Sequence, residues 1–186
     1  MIRPVDLGIC HGYEYEGDPA RTAVLLPGAM LGGMPSLAYA QQGLSANGWR
    51  IVQVWDQFLD RSQDATEWVH DRLAAAVRHA SEARQILVVA KSLSTRAAGD
   101  VADHAWPGIW LTPLLDDAES VAALRRSAAP ALLIGGTDDP MWIGRLAREI
   151  SDDVLELEGA DHALARPEDG AAVARAVEEW SARLGT

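Results

Sequence analysis

Short runs of apolar, mostly β-branched or leucine residues alternate along the chain with longer segments in which apolar residues recur every three or four positions. Few polar residues interrupt the short runs, which is typical of strands covered on both faces of a parallel sheet. The alternation of strands with helices predicts an α/β fold. The predicted strands are residues 22–27, 50–55, 86–90, 109–112, 131–135 and 154–157.

The helical pattern is clearest over residues 64–84, where Val69 and Leu73 lie on an apolar face opposite a charged one. A second long helix is predicted over residues 167–184. Residues 9–16 alternate in a way compatible with an antiparallel edge strand. Together these elements predict a doubly wound, mostly parallel sheet of about six or seven strands with helices on both faces.

The length of the chain and of its connections predicts one domain with an open site. The 186 residues, 20.0 kDa in mass, suffice for one hydrophobic core, so we expect a single domain over residues 1–186. Only residues 113–116 separate the fourth predicted strand from the next helical pattern. A connection this short leaves no room for an inserted cap domain.

The net charge of −11, with most of the acidic excess after Gly99, disfavours some partners. An acidic surface repels phosphate backbones and anionic lipids, so we expect neither a nucleic-acid nor a membrane partner. The first 20 residues lack the continuous apolar segment of a signal peptide, and the single Cys10 permits no internal disulfide, which together predict a cytoplasmic protein. The seven tryptophans leave open a homodimer formed through an exposed tryptophan surface.

A candidate nucleophile follows the strand predicted at residues 86–90. The sequence Ala90-Lys91-Ser92-Leu93-Ser94 leads directly into a helical pattern and has a small residue two positions before and two after Ser92. A sharp strand-to-helix turn of this kind accepts only small residues there, and it lifts the central hydroxyl clear of the sheet. The alternative is an ordinary serine N-cap on a helix that follows a strand.

Candidates for an acid and a base follow two later strands. Asp138 and Asp139 come after the strand at residues 131–135, and His162 comes after the strand at residues 154–157. Asp139 is preferred as the acid because it directly precedes Pro140, with Asp138 as the rival. A serine needs a base, and an imidazole base needs an acidic partner that orients it. Because parallel strands end at the same edge of a sheet, we expect Ser92, Asp139 and His162 to meet there.

A glycine-bearing loop after the first central strand completes the candidate site. Its glycines at positions 28, 32 and 33 fit neither spacing of the known phosphate-binding loops. We interpret it as an oxyanion loop in which Ala29 supplies a backbone N–H, with Met30 as the next candidate and as part of a substrate pocket. Trp55 and Trp142, near two other strand ends, are candidate aromatic walls of that pocket.

The ordered set Ser92, Asp139 and His162 on three strand ends resembles the small, cap-less α/β-hydrolases of the serine-hydrolase type, similar to dienelactone hydrolases and esterases. The resemblance implies a Ser-His-Asp triad, oxyanion donors at the N–H groups of Leu93 and Ala29, a small ester-like or thioester substrate, and neither a cofactor nor a metal. This chain departs from the pattern in having Ala90 and Ser94 where glycine is usual, and Pro27 where histidine is common.

Two other classes of function compete with the serine hydrolase. A non-catalytic interaction module that kept the fold is compatible with the altered elbow glycines. A metal-dependent hydrolase is the second, but no His-x-x-x-His or Cys-x-x-Cys spacing occurs, and His70 and His79 are nine residues apart.

Overall fold

A computed structural model describes residues 1–30 and 35–185. Its strands are β1 Ile2–Asp6, β2 His11–Tyr15, β3 Asp18–Leu26, β4 Trp49–Trp55, β5 Gln85–Lys91, β6 Gly108–Leu111, β7 Ala131–Gly136 and β8 Asp153–Leu157. Its α-helices are α1 Pro35–Ala46, α2 Ala65–His79, α3 Ala98–Asp103, α4 Ala118–Arg126, α5 Gly144–Ile150 and α6 Pro167–Ala182. Short 3₁₀ segments cover Ser92–Ala97 and Arg183–Gly185.

The eight strands form one sheet in the order β1-β2-β4-β3-β5-β6-β7-β8. The pairs β1–β2 and β2–β4 are antiparallel, and the remaining pairs are parallel. The predicted mostly parallel sheet is therefore confirmed, with one strand more than the upper predicted number. The additional strand, β1, lies at the edge, so β2 is the second strand from the edge.

The sheet is covered on both faces, which explains the uninterrupted apolar runs of its strands. Ala23 and Leu25 of β3 belong to the core on the face of α1 and α6. Val24 and Leu26 of the same strand belong to the core under α2, α3, α4 and α5. Neighbouring residues of a strand point to opposite faces, so a strand buried on both sides needs an apolar residue at nearly every position.

The helix predicted over residues 64–84 is shorter than expected. Asp64 is its N-cap and accepts two backbone N–H groups, but the helix ends at His79. The main chain must turn after this point because the Arg84 N–H donates to the Ala20 carbonyl where the chain enters β5. Over the described part of the chain, no helix is both long and apolar enough to cross a lipid bilayer.

The tryptophans do not form an exposed surface. Trp55 and Trp106 are half-buried, and the other five are buried. All seven lie in the described part of the chain, so the surface on which the dimer expectation rested is not present there. The buried ones are Trp49, Trp68, Trp110, Trp142 and Trp180.

A buried ion-pair cluster joins the antiparallel strands to the rest of the sheet. The Glu14 carboxylate of β2 accepts hydrogen bonds from Arg50 of β4 at 2.8 Å, from Arg3 of β1 at 2.6 Å and from His79 at the end of α2 at 2.9 Å. Burial alone would raise the pKa of Glu14, but the bonds from Arg50, His79 and Arg3 outweigh it and lower that pKa to about 2.

This cluster makes stability depend on pH, and we expect Glu14→Gln to remove that dependence. A carboxyl whose pKa is lowered by folding stabilises the protein fully above the unfolded pKa, near 4.5, and loses the contribution as the pH falls toward 2. Urea unfolding of the wild type should show this loss, whereas Glu14→Gln should be less stable at pH 7 by about 2 kcal/mol and flatter below pH 4.5.

The matched control is Glu16→Gln, two residues along the chain. Among the described residues the Glu16 side chain forms an exposed ion pair with the Met1 amino group, so its loss should change stability by less than about 0.5 kcal/mol. Equal effects of the two substitutions would show that the buried cluster contributes nothing beyond surface charge.

Candidate active site

Ser92 occupies a strained turn between β5 and the helical segment that follows it. Its backbone φ is +50°, a left-handed conformation that a non-glycine residue rarely adopts. Four non-glycine residues of the described chain have positive φ, and two of them, Ser92 and Thr112, directly follow the neighbouring parallel strands β5 and β6. Such strain persists only where the surroundings fix it, and it concentrates at functional sites.

Two small residues, Ala90 and Ser94, allow the sharp turn at Ser92 to pack against its neighbours. Ala90 is fully buried in β5, and Ser94 is 1% exposed. The Ser94 hydroxyl donates to the Pro27 carbonyl, which ties the turn to the loop after β3. The Thr95 hydroxyl donates to the Ser92 carbonyl at 2.6 Å. Serine in place of glycine at position 94 therefore adds a hydrogen bond to the turn.

The side chains of Ser92, His162 and Asp139 form one hydrogen-bonded chain. Ser92 Oγ lies 2.7 Å from His162 Nε2, and His162 Nδ1 lies 2.7 Å from Asp139 Oδ2. An ionised carboxylate can only accept, so Nδ1 carries the proton that is donated to Asp139. In the neutral ring Nε2 is then the acceptor for the Ser92 hydroxyl, which is the arrangement a general base requires.

The structure brings Asp139, and not Asp138, to the imidazole. Asp139 is 3% exposed, and its second oxygen accepts the Met141 N–H at 2.9 Å. Burial would raise the pKa of Asp139, but the hydrogen bonds from His162 and the Met141 N–H, aided by the electrostatic attraction of His162 and Lys91, outweigh it and lower that pKa. Asp138 is exposed.

The loops that carry Asp139 and His162 are held together by hydrogen bonds of their own. The Thr137 N–H donates to the Leu157 carbonyl at 3.0 Å, and the Asp138 N–H donates to the Ala160 carbonyl at 3.0 Å. The Gly159 N–H donates to the Thr137 hydroxyl at 2.7 Å. The acid and the base are thus fixed relative to each other by the main chain as well as by their side chains.

The loop after β3 lies against the turn that carries Ser92. A Cβ placed on Gly28 would be 3.4 Å from the Lys91 side chain and 3.5 Å from Ser92 Cβ, and the half-buried Ala29 follows directly. Leu93, the other candidate oxyanion donor, is the second residue of the 3₁₀ segment after β5. Residues 31–34, including the glycines at positions 32 and 33, lie outside the described residues.

The three candidate pocket residues differ in their surroundings. Met30 is 59% exposed. Trp55 is half-buried, and its ring packs edge-on against Tyr13 with 5.2 Å between ring centroids. Trp142 is 8% exposed and donates its indole N–H to Glu156 at 2.8 Å, so the structure places it in the core and not as a pocket wall.

Neither the Cys10 thiol nor a metal centre offers an alternative to the serine in the described part of the chain. Burial and the Asp56 carboxylate raise the pKa of the Cys10 thiol to about 11, which keeps it protonated at neutral pH. The described residues contain no group of three or more histidine, cysteine, aspartate or glutamate side chains placed to hold a metal ion.

The structure adds one residue to the site that the sequence did not indicate. Lys91, beside the candidate nucleophile, is 2% exposed, and its Nζ donates to the Thr112 hydroxyl and to the His162 carbonyl. A lysine is almost never fully buried, so the sequence alone offered no signal for this position.

The sheet order, the helices on both faces and the strained turn after β5 define the α/β-hydrolase fold. No family model matches the chain, and no curated protein matches it in sequence.

Solved structures match the chain over nearly its whole length. Est1E from Butyrivibrio proteoclasticus, in a structure with ferulic acid bound, gives a TM-score of 0.79 at 12% identity, covering 99% of this chain and 100% of that one. A dienelactone hydrolase from Anabaena variabilis gives 0.73 at 17% identity, covering 97% and 95%. An alpha-beta serine hydrolase homologue from Coxiella burnetii gives 0.71 at 16% identity, covering 96% of each chain.

Proposed function

We propose that this protein is a serine hydrolase that cleaves a carboxylic ester or thioester through an acyl-enzyme. The observation that carries the proposal is the hydrogen-bonded chain from Ser92 through His162 to the buried Asp139, with 2.7 Å at each step. A serine hydroxyl is a weak nucleophile unless a base within hydrogen-bond distance accepts its proton. Serine hydrolases and esterases among the structural neighbours support the same reaction class.

The reaction follows from the geometry of these three side chains. Ser92 Oγ attacks the carbonyl carbon while its proton passes to His162 Nε2, and Asp139 stabilises the imidazolium that forms. His162 then donates this proton to the leaving oxygen or sulfur as the bond to the acyl carbon breaks. A water molecule, activated by the same nitrogen, releases the acid and returns the proton to Ser92.

The negative charge on the carbonyl oxygen needs donors that are already in place. We assign these to the N–H groups of Leu93 and Ala29, since one directly follows Ser92 and the other belongs to the loop that packs on it. In comparable sites one such donor stabilises the transition state by about 3 kcal/mol.

Exposed apolar side chains at the same edge of the sheet suit a substrate with an apolar portion. Met30 follows β3, Leu59 follows β4 and Ile143 follows β7, and they are 59%, 74% and 40% exposed. Asp138 and Asp161, next to the acid and the base, are exposed carboxylates that would repel an anionic substrate. We therefore propose a neutral ester or thioester that binds in an open site.

Reaction with a fluorophosphonate tests the proposal directly. This reagent reacts with a serine only when the hydroxyl is activated, and mass spectrometry of the digested protein locates the adduct. We expect one adduct, on Ser92, that is absent in Ser92→Ala and forms at least about 100-fold more slowly in His162→Ala.

Ser94→Ala is the matched control because Ser94 is two residues away but buried in the turn. It should still be labelled at Ser92. A folded wild-type protein that stays unlabelled would instead favour the non-catalytic module. An adduct on Ser94 would show that Ser94, and not Ser92, is the nucleophile.

A further inference from the structure

Lys91 is a buried cation at the end of the strand that leads to Ser92. It ends β5 directly before Ser92, is 2% exposed, and takes part in no salt bridge among the described residues. Burial lowers the pKa of Lys91 to about 8, against the opposing attraction of the Asp139 and Asp161 carboxylates. A buried ammonium is costly unless its N–H groups are satisfied, so the bonds that Lys91 does make explain why it is tolerated there.

Those bonds join three separate strand ends. Nζ donates to the Thr112 hydroxyl beyond β6 and, at 2.7 Å, to the His162 carbonyl beyond β8. Thr112 is fully buried and its N–H donates to the Ile134 carbonyl at 2.7 Å, so the hydroxyl that receives Lys91 is itself held in place. Lys91 therefore connects the strand of the nucleophile to the main chain of the base.

The turn that carries His162 has no regular structure between β8 and α6. The Asp161 carboxylate accepts the Ala163 and Leu164 N–H groups on one side of His162. Lys91 binds the carbonyl of His162 itself, at the peptide from which the imidazole extends. The position of that carbonyl sets how far the ring reaches toward Ser92.

We propose that Lys91 is a positioning residue, which holds the main chain of His162 at the distance from Ser92 that proton transfer requires. The proposal rests on the serine-hydrolase function proposed above. Lys91 is buried and its hydrogen bonds reach Thr112 and the His162 main chain, so we assign it no contact with the substrate or with the reacting atoms. It acts through His162, because the Lys91 side chain ties the strand that leads to Ser92 to the main-chain carbonyl of His162.

Lys91→Met tests this role, since methionine has a similar length and no N–H group. With p-nitrophenyl acetate as substrate we expect kcat to fall about 30-fold, because a displacement of the base by a fraction of an ångström slows proton transfer. KM should change by less than about threefold, because Lys91 makes no contact with the substrate. Thr112→Val is the matched control: it removes the other partner of Nζ, leaves the bond to His162, and should reduce kcat less than Lys91→Met.

A spectroscopic readout separates positioning from stability and needs no substrate. The proton between His162 Nδ1 and Asp139 should give a far-downfield ¹H NMR resonance in the wild type, identified by its absence in His162→Ala. We expect it to broaden or vanish in folded Lys91→Met and to remain in Thr112→Val. If Lys91→Met does not fold, Lys91→Gln, which is shorter and neutral, replaces it in both measurements.

The two proposals fail in different ways. An unlabelled, inactive wild type overturns the hydrolase function, yet the NMR comparison still tests whether Lys91 orders His162. A folded Lys91 variant that keeps both kcat and the resonance, whatever its melting temperature, overturns the positioning role alone.

Discussion

We expect Asp139→Asn to lower kcat for p-nitrophenyl acetate about 10⁴-fold while the protein remains folded, as the equivalent change does in other serine triads. Asn presents either an amide oxygen, which lacks the charge that stabilises the imidazolium, or an N–H₂ group, which favours the wrong tautomer of His162. The fold should survive because the amide oxygen can still accept the Met141 N–H that Asp139 now accepts at 2.9 Å.

The pH dependence of this variant carries a second expectation. The pKa of Asp139 lies below the ordinary value for an aspartate, so the wild-type carboxylate stays ionised throughout the neutral range. The loss of activity in Asp139→Asn should therefore persist from about pH 6 to pH 8 and should not be recovered by raising the pH. Steady-state kinetics over this range check the point.

Asp138→Asn supplies the control with the same change of charge one residue away. Asp138 is exposed, and it is the N–H of its main chain that bonds to Ala160, so the side chain can be changed without disturbing the loop. We expect kcat to change by less than about threefold. A large loss in Asp138→Asn together with an active Asp139→Asn would assign the acid to the rival carboxylate.

Gly136→Ala should disable both the acid loop and the base loop. A Cβ at this position would lie 2.0 Å from the Ala160 carbonyl oxygen, which is far shorter than any allowed contact between two non-bonded heavy atoms. The neighbour is main chain and cannot rotate away, so the segment after β8 must move. We expect a loss of stability of about 3 kcal/mol and a fall in kcat of at least about 100-fold.

Gly99→Ala is the matched control for this substitution. Gly99 lies in α3, and a Cβ there would meet only the end of the Arg126 side chain, at an ordinary contact distance of 3.8 Å. Alanine is the better helix former, so stability should stay the same or rise by up to about 1 kcal/mol. Urea unfolding and p-nitrophenyl acetate kinetics on both variants test the pair, and an active, stable Gly136→Ala would contradict the close packing of the two loops.

The parallel strands and the order of the candidate catalytic residues that follow them were predictable because both depend on local sequence. A strand buried on both faces shows as an unbroken apolar run, and small residues on either side of Ser92 mark the turn after β5. The edge strand β1 was missed because pairing with β2 holds it, while four of its five residues are exposed and carry no apolar pattern.

The remaining parts of the site depend on contacts between distant segments. The position of Asp139 directly before Pro140 favoured it over Asp138, but its contact with the imidazole also depends on how the loop after β7 bonds to the segment after β8, which is not a local feature. Trp142 was expected in a pocket, but Gly135 leaves room for its ring in the core: a Cβ on that glycine would lie 2.1 Å from the ring. Lys91 was overlooked because its partners follow in the sequence by 21 and 71 residues.

The burial of Lys91 also governs how the ε-amine of this chain responds to amine-directed chemistry. It is the single lysine among the 186 residues, and folding hides its ε-amine between three strand ends. Acetylation, biotinylation or attachment of a degradation tag at a lysine therefore requires these strand ends to separate first. We expect the folded chain to resist modification at its lysine, and a molecule that is modified there to have opened the region around Ser92.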